Sequence, residues 1–236
     1  KQVVGVTTYC DYPEEALRIP KVGDLNVNAE KVLALKPDVV IGDIEANRKA
    51  LAALEHLGTL QGRIFAIAGT HFRDIRNAVR SVGTLTGHEA DAARVIAEMD
   101  RTLDDIRSQT RKKQVRPRAV FVVQTSPLWV AGGDTFIDDL ITAAGGENIG
   151  RLAGNGYRAF SLERLIVVDP DFIVSSDTTR ATLRGRAGWR DLTAVKQGRV
   201  HVMGYDAVRP GPRLAEAVVQ LHSIFFSSPE LAASDH

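Results

Sequence analysis

Apolar positions in this chain recur in two patterns, one with a helical period and one as short buried runs. Helical spacing holds over 71–86 and again from Glu89 to about Lys113, where no glycine or proline interrupts it. Branched runs predict strands at 2–7, 38–41, 63–68, 119–123, 128–131, 172–175 and 199–203. Further helices are predicted at 45–57, 136–144 and 213–226. Such alternation predicts an α/β protein with parallel sheets.

One sequence pattern occurs twice. Residues 28–42 (NAEKVLALKPDVVIG) and 161–175 (SLERLIVVDPDFIVS) align without a gap at a constant offset of 133 positions. Each copy predicts a short helix, a proline that ends it, and a buried strand. A weaker echo aligns 61–67 with 197–203 at an offset of 136. The repetition predicts two related Rossmann-like halves with a ligand bound between them.

The repeat and the long helical stretch together predict the domain organisation. We expect an N-terminal lobe over 1–88, a linking helix over 89–114 and a C-terminal lobe over 115–236. A helix of about 25 residues spans about 37 Å, enough to bridge two lobes. The sequence begins inside a predicted strand, so we expect a targeting segment and a first structural unit of this lobe to be missing here.

Each copy of the repeat carries a capping residue and a glutamate at its helix start. Asn28 and Ser161 are predicted N-caps, and Glu30 and Glu163 follow in the first turn. There each carboxylate stabilises its helix by roughly 0.3–1 kcal/mol. Alternatively, the two carboxylates are equivalent docking points for a two-fold partner that carries arginines. The sequence alone favours the structural role.

Composition narrows the range of functions. The formal net charge is +1 with 25% charged residues, which gives no reason to expect a nucleic-acid partner. A single cysteine, Cys10, excludes an internal disulfide, and no apolar run reaches the roughly 18 residues of a membrane span. No catalytic motif is recognisable, so no catalytic residue is predicted. The six histidines are scattered, and no metal site or catalytic cofactor is predicted either.

Aromatic and polar residues cluster in loops that are predicted to follow strands. Open α/β sheets bind ligands at the carboxyl ends of their strands, and several aromatic faces suit a large planar ligand. The candidate ligand-binding residues are Tyr9, Tyr12, Trp129, Tyr157, Phe160, Asp206 and Arg209. For each aromatic residue, packing in the core or within its loop is the competing interpretation.

The chain resembles the periplasmic substrate-binding proteins of ABC importers for cobalamin, siderophores and haem. The resemblance rests on the repeated stretch, on Gly145-Gly146-Glu147-Asn148-Ile149, on the segment from Gly188-Trp189 to Val200, and on Arg209–Arg213. The turn Tyr9-Cys10-Asp11-Tyr12-Pro13 is most similar to the cobalamin-binding members. In that family two α/β lobes are joined by one long helix.

The resemblance implies a binding protein without enzymatic activity, which captures cobalamin or a related corrinoid and delivers it to a permease dimer. Tyr9, Tyr157 and Asp206 match ligand contacts of the family, and Trp129 aligns more loosely. Glu30 and Glu163 match the glutamates that pair with permease arginines, which raises the docking interpretation above the structural one. We expect a monomer, periplasmic or at the cell surface, held there by a lipid anchor if the host is Gram-positive.

Two departures keep alternatives open. Leu25 and Asp43 stand where the best-known cobalamin binders carry tryptophan, so the aromatic cage is thinner. A ferric siderophore or haem is the alternative ligand, and Arg158, Arg209 and Arg213 keep the siderophore option open. A third alternative is an α/β enzyme with a cleft at the same strand ends, although no nucleophile and base can be argued from spacing.

Overall fold

The computed structural model describes residues 2–204 and 207–227. The chain forms two compact units, one from the residues up to Gly69 with Leu85–Gly87, the other from Thr70–Thr84 and the residues from His88 onward. The predicted boundaries at 88 and 114 stay a prediction. Both units combine helices with parallel strands, so the predicted α/β class is confirmed.

The first unit is built around a two-stranded parallel sheet. Its elements are α1 (Ala29–Ala34), β1 (Val40–Asp43), α2 (Arg48–His56) and β2 (Ile64–Ile67). Leu51 and Leu54 of α2 are buried, three residues apart on one helix face. The core of this unit gathers Val22, Val32, Leu54 and Leu60.

The second unit contains the larger sheet, whose strand order is β6-β4-β3-β7-β8, with β5 paired beside β3. Its strands are β3 (Arg118–Thr125), β4 (Leu128–Ala131), β5 (Glu147–Asn148), β6 (Tyr157–Ala159), β7 (Phe172–Ser175) and β8 (Val200–Val202). Its helices are α3 (Phe72–Thr86), α4 (Glu89–Thr110), α5 (Phe136–Ala143), α6 (Leu162–Val168), α7 (Arg180–Arg184), α8 (Thr193–Gln197) and α9 (Leu214–Phe226). The last two residues of α3 belong to the first unit.

Side chains of β3 point alternately to two hydrophobic cores. Ala119 and Phe121 join a cluster with apolar residues of α4, α5 and α9. Val120 and Val122 join a second cluster with residues of α6, α7 and α8. Because successive strand residues face opposite sides of a sheet, helices cover both faces of β3. This double burial explains why β3 is an almost continuous apolar run in the sequence.

The sequence repeat corresponds to a repeated structure. In the first unit Val40 pairs with Ile64, and in the second Ile173 pairs with Val200, which are the positions the offsets of 133 and 136 predict. The N–H of Val40 donates to the Arg63 carbonyl at 2.9 Å, and that of Ile173 donates to the Arg199 carbonyl at 3.0 Å. The two parallel strand pairs therefore share one register.

The repeated helices also end alike. Lys36 and Asp169, each directly before the proline, adopt left-handed backbone conformations with φ of 49° and 46°. Non-glycine residues rarely enter this region, so its recurrence at equivalent positions reflects a common local structure. Asp169 has a further role, because its carboxylate accepts from the Thr193 N–H at 2.9 Å and the Thr193 hydroxyl at 2.6 Å. These bonds tie the end of α6 to α8.

Two sequence predictions are wrong at the local level. Residues 2–7 were predicted to form a strand but do not. In the described part of the chain they contribute a single isolated β-bridge, between Val6 and Lys21. The Gly-rich segment 150–160, which contains none of the predicted strands, includes β6. None of the helices in the described part of the chain combines the length and apolar character needed to cross a membrane.

Candidate functional site

Trp129 and Tyr157 lie on the same face of the β4–β6 ladder. Trp129 is paired with Ala159, and Tyr157 is paired with Ala131. Since residues two apart on a strand share a face, the two aromatic side chains are diagonal neighbours across the ladder, within reach of each other. Trp129 is 38% exposed and Tyr157 is 50% exposed. We call this pair the aromatic face.

Close backbone packing supports the aromatic face at the ends of its strands. The N–H groups of Gly132 and Gly133 donate to the carbonyls of Gly156 and Gly154, both at 2.9 Å. A Cβ on Gly132 would lie 2.1 Å from the Gly154 carbonyl oxygen. The Gly-rich segment therefore extends the β4–β6 pairing because glycine lets two backbones approach this closely.

A largely buried polar network joins the Gly-rich segment to α5. Asp138 in the first turn of α5 accepts from the Asn148 amide at 2.9 Å and from Arg151 Nε at 2.7 Å and Nη2 at 3.1 Å. This hydrogen bonding to Asp138 raises the pKa of the Arg151 guanidinium. Asn148 also donates to the carbonyls of Ala131 and Gly132. The network thus fixes the end of β4 against α5. Asp138 and Arg151 belong to no recognisable sequence motif and were not predicted as functional residues.

The phenol of Tyr157 is partly buried. This partial burial raises the pKa of the phenol, because the charged phenolate is poorly solvated there. The side chain therefore stays a neutral hydrogen-bond donor at physiological pH.

Phe160 is separated from the aromatic face. It is only 9% exposed and belongs to the core cluster that contains Val120, Leu165 and Trp189. The Arg164 guanidinium lies 5.5 Å from its ring centroid. Phe160 therefore packs in the core and does not belong to the exposed aromatic face. Trp189 is buried in the same cluster.

In the first unit, Tyr9 lies in a turn and Tyr12 follows three residues later, and the two side chains are exposed by 51% and 64%. The turn is closed by the N–H of Cys10, which donates to the Thr7 carbonyl at 3.1 Å. The Lys21 ammonium donates to the carbonyls of Cys10 at 3.0 Å and Ala16 at 2.9 Å. Lys21 thereby joins the turn to the short 3₁₀ helix that follows it. This contact was not predictable from the sequence, since a single lysine in a loop has no characteristic pattern.

The two repeat glutamates begin equivalent helices. The Asn28 side chain accepts from the Lys31 N–H at 2.9 Å, and the Ser161 hydroxyl accepts from the Arg164 N–H at 3.1 Å, so both predicted N-caps are confirmed. Glu30 and Glu163 are both exposed. The Ser161 hydroxyl also donates to the Glu163 carboxylate, which lowers the pKa of Glu163. Both carboxylates are thus presented to solvent on rigid helix starts.

Two candidates remain, Asp206 and Arg209, which both precede α9 in the sequence. Asp206 lies outside the described residues, and Arg209 is half-buried. Of the two positions where tryptophan was absent, Leu25 is exposed, whereas the Asp43 carboxylate accepts from the N–H groups of Glu45 at 2.8 Å and Ala46 at 2.7 Å. Asp43 therefore stabilises the turn after β1. In the described residues, no three His, Cys, Asp or Glu side chains are grouped as metal ligands would be.

Repeated α/β units that expose aromatic side chains, on a strand ladder in one unit and near a turn in the other, are typical of a solute-binding protein of the periplasmic type. Residues 1–207 match the model of the periplasmic binding protein family, and the chain belongs to that family. It is 30% identical over 226 residues to YvrC, an uncharacterized ABC transporter substrate-binding lipoprotein of Bacillus subtilis, covering 93% of this chain and 72% of YvrC.

Two solved structures are also similar to the chain. The periplasmic vitamin B12-binding protein BtuF of Vibrio cholerae has a TM-score of 0.80 and 26% identity, over 94% of this chain and 87% of BtuF. The periplasmic heme-binding protein RhuT of a Roseiflexus species has a TM-score of 0.84 and 26% identity, over 95% and 90%. The predicted family and the prediction of a binding protein rather than an enzyme are both confirmed.

Proposed function

We propose that the chain is the substrate-binding component of an ABC importer, and that it captures cobalamin or a related corrinoid for delivery to a membrane permease. The observation that carries the proposal is the aromatic face of Trp129 and Tyr157. Two large exposed rings on one face of the same strand ladder suit a flat, partly apolar ligand. The turn with Tyr9 and Tyr12 supplies two further exposed rings in the other unit.

The neutral Tyr157 phenol offers a corrinoid an exposed ring on which to stack and one hydrogen-bond donor. Similarity to the B12-binding protein of Vibrio cholerae is consistent with this choice.

Haem is the second candidate because the similarity to the heme-binding RhuT structure is as extensive. In that case one of the three exposed tyrosines, Tyr9, Tyr12 or Tyr157, would be the axial ligand. A ferric siderophore is less favoured, since the Arg158 guanidinium donates to the Asn155 carbonyl at 2.7 Å. Arg158 also alternates with Tyr157 along β6 and so points to the opposite face of the ladder.

Glu30 and Glu163 are proposed to dock the protein onto the permease dimer. Their equivalent positions in the repeat provide one exposed carboxylate per unit, which matches a two-fold partner that offers arginines. The protein would act as a monomer in the periplasm or at the cell surface. YvrC, itself a lipoprotein, supports a lipid-anchored location as one version of this.

Calorimetric titration of the purified protein with cyanocobalamin, hemin and a ferric siderophore tests the ligand. We expect saturable binding of cyanocobalamin at about one site, accompanied by quenching of Trp129 fluorescence. Absence of binding to cyanocobalamin together with saturable binding of hemin would overturn the corrinoid proposal. The absorption spectrum of hemin would then distinguish tyrosine ligation from non-specific adsorption, with Tyr9→Phe, Tyr12→Phe and Tyr157→Phe identifying the ligand.

A further inference from the structure

A basic concavity lies between α7 and α8 of the second unit. It has a volume of about 380 Å³ and is lined by Arg184, Arg190, Asp191, Val195 and Lys196. This volume lies within the range of small-molecule sites, about 300–1,000 Å³. The concavity shares no lining residue with the aromatic face or with the helix start at Glu163.

Within the part of the chain that the structure describes, the cations of this concavity have no anionic side chain as partner. In the described residues, no carboxylate lies within ion-pair distance of Arg184, Arg190 or Lys196, and none of these side chains donates a recorded hydrogen bond. Other arginines differ, since Arg76, Arg94 and Arg151 each pair with an aspartate. Three unpaired cations that face one concavity with a single aspartate make a site for an anion.

The packing of this region holds the concavity in shape. Leu183, Trp189, Leu192 and Val195 are buried in the core beneath it, which turns the intervening charged residues outward. Arg180 joins its two helices, because its Nε donates to the Val195 carbonyl at 2.8 Å and its Nη2 to the Lys196 carbonyl at 2.6 Å. An incoming ligand would therefore meet helices already fixed in place.

The basic character belongs to this copy of the repeat alone. Residues 178–200 contain six Lys and Arg residues and one acidic residue, in a chain that is close to neutral overall. The equivalent stretch of the first unit, 45–64, contains three Lys and Arg residues and two glutamates. There Arg48 also pairs with Glu45. The duplicated fold therefore does not require these positive charges, and their presence must be explained by a property of the second unit alone.

We propose that the Arg184, Arg190 and Lys196 concavity binds a phosphate-bearing anion, either a free one or the headgroup of an anionic lipid. Guanidinium groups form paired hydrogen bonds with phosphate oxygens, and an ammonium group adds a compact charge. The three cations exceed the charge of Asp191, so a ligand with two or more negative charges fits best. This site is additional to the proposed ligand surface and does not rest on it.

The experiment compares two triple variants of the full chain. Arg184→Gln, Arg190→Gln and Lys196→Gln remove the charges of the concavity. Arg101→Gln, Arg107→Gln and Lys112→Gln, all exposed on or just after α4, remove the same charge elsewhere in the same unit. Each protein is titrated with pyrophosphate by calorimetry and sedimented with phosphatidylcholine vesicles that contain or lack phosphatidylglycerol. Thermal melts establish that both variants are folded.

We expect the concavity variant to bind at least about tenfold more weakly, while the α4 variant keeps wild-type binding, because only the concavity offers converging donors. Loss of pyrophosphate binding identifies a free anion, and loss of phosphatidylglycerol-dependent sedimentation identifies a lipid headgroup. Absence of wild-type binding to both probes would overturn the proposal, as would an equal loss in the two variants. Cyanocobalamin affinity should be unchanged in both, which separates this test from that of the proposed function.

Discussion

The Ser161 hydroxyl donates a 2.6 Å hydrogen bond to the Glu163 carboxylate while it accepts one from the Arg164 N–H. One side chain therefore caps α6 and also favours the charged form of the exposed glutamate. The Ser161 hydrogen bond is the main cause of the lowered pKa of Glu163, followed by a backbone N–H. A structural role and a charge-presenting role are thus compatible at the same helix start.

Charge reversal at both repeat glutamates should separate binding from delivery. We expect Glu30→Lys with Glu163→Lys to retain ligand affinity while transport by the cognate permease is lost, because neither carboxylate belongs to the aromatic face. Uptake of labelled cobalamin by reconstituted vesicles measures delivery, and calorimetry measures affinity. The matched control is Glu89→Lys with Glu216→Lys, since both are exposed glutamates in the first turn of another helix. Loss of affinity in the repeat variant, or equal loss of transport in the control, would contradict the docking role.

Removal of the caps should affect stability more than function. Ser161→Ala and Asn28→Ala each delete a side-chain bond to a helix N–H and should lower the free energy of unfolding by about 1 kcal/mol. Ser161→Ala also removes the hydrogen bond that lowers the pKa of Glu163. This lowered pKa stabilises the folded protein above pH 4.5, the ordinary pKa of the carboxyl group, and the stability is lost as the pH falls through the folded-state pKa.

Urea denaturation at pH 7 and at pH 3.5 measures this difference. Ser161→Ala should show a smaller acid-induced loss of stability than the wild type, whereas Asn28→Ala should show the wild-type loss. Identical pH dependence in the wild type and Ser161→Ala would remove the proposed coupling between the cap and the carboxylate.

The aromatic face should dominate ligand affinity. Trp129→Ala should weaken cyanocobalamin binding about tenfold or more, equivalent to about 1.4 kcal/mol or more. For Tyr157 two variants separate its roles, since Tyr157→Phe keeps the ring and removes the donor, while Tyr157→Ala removes both. We expect the phenylalanine variant to lie between the wild type and the alanine variant in dissociation constant. Val167→Ala, a change at a highly exposed position outside the face, is the control. An alanine variant at Trp129 with wild-type affinity would exclude the face from the binding surface.

The sequence predicted those features that depend on repetition and on long periodic patterns. The equivalence of Val40 with Ile173 followed from the offset, and the parallel register of both strand pairs agrees with it. Helices α3, α4 and α9 agreed closely because their apolar spacing extends over several turns.

Features that depend on distant partners were not predictable in this way. The three residues of β6 are too short for a pattern and become a strand only by pairing with β4. Phe160 lies one residue beyond that strand, and its burial depends on helices that cover the opposite face. Lys21 and Asp138 act through contacts whose geometry has no counterpart in spacing. The candidate residues were therefore identified, but their division into surface and core required the structure.

His201 should make the protein less stable at mildly acidic pH. It lies in β8 with its ring centroid 6.0 Å from that of Phe172, and burial lowers the pKa of its imidazole below the ordinary value of 6.5. Between pH 6.5 and the lower folded-state pKa, the imidazole is protonated in the unfolded chain but not in the folded protein. The stability present above pH 6.5 is therefore lost as the pH falls to the folded-state pKa. His201→Gln cannot take up this proton and should lose less stability than the wild type between pH 7.5 and pH 5.5. Denaturant titrations at both pH values measure the difference, and a nuclear magnetic resonance titration should show His201 protonating below 6.5. Equal losses in the two proteins, with His201 titrating at or above 6.5, would show that burial does not disfavour the charged ring.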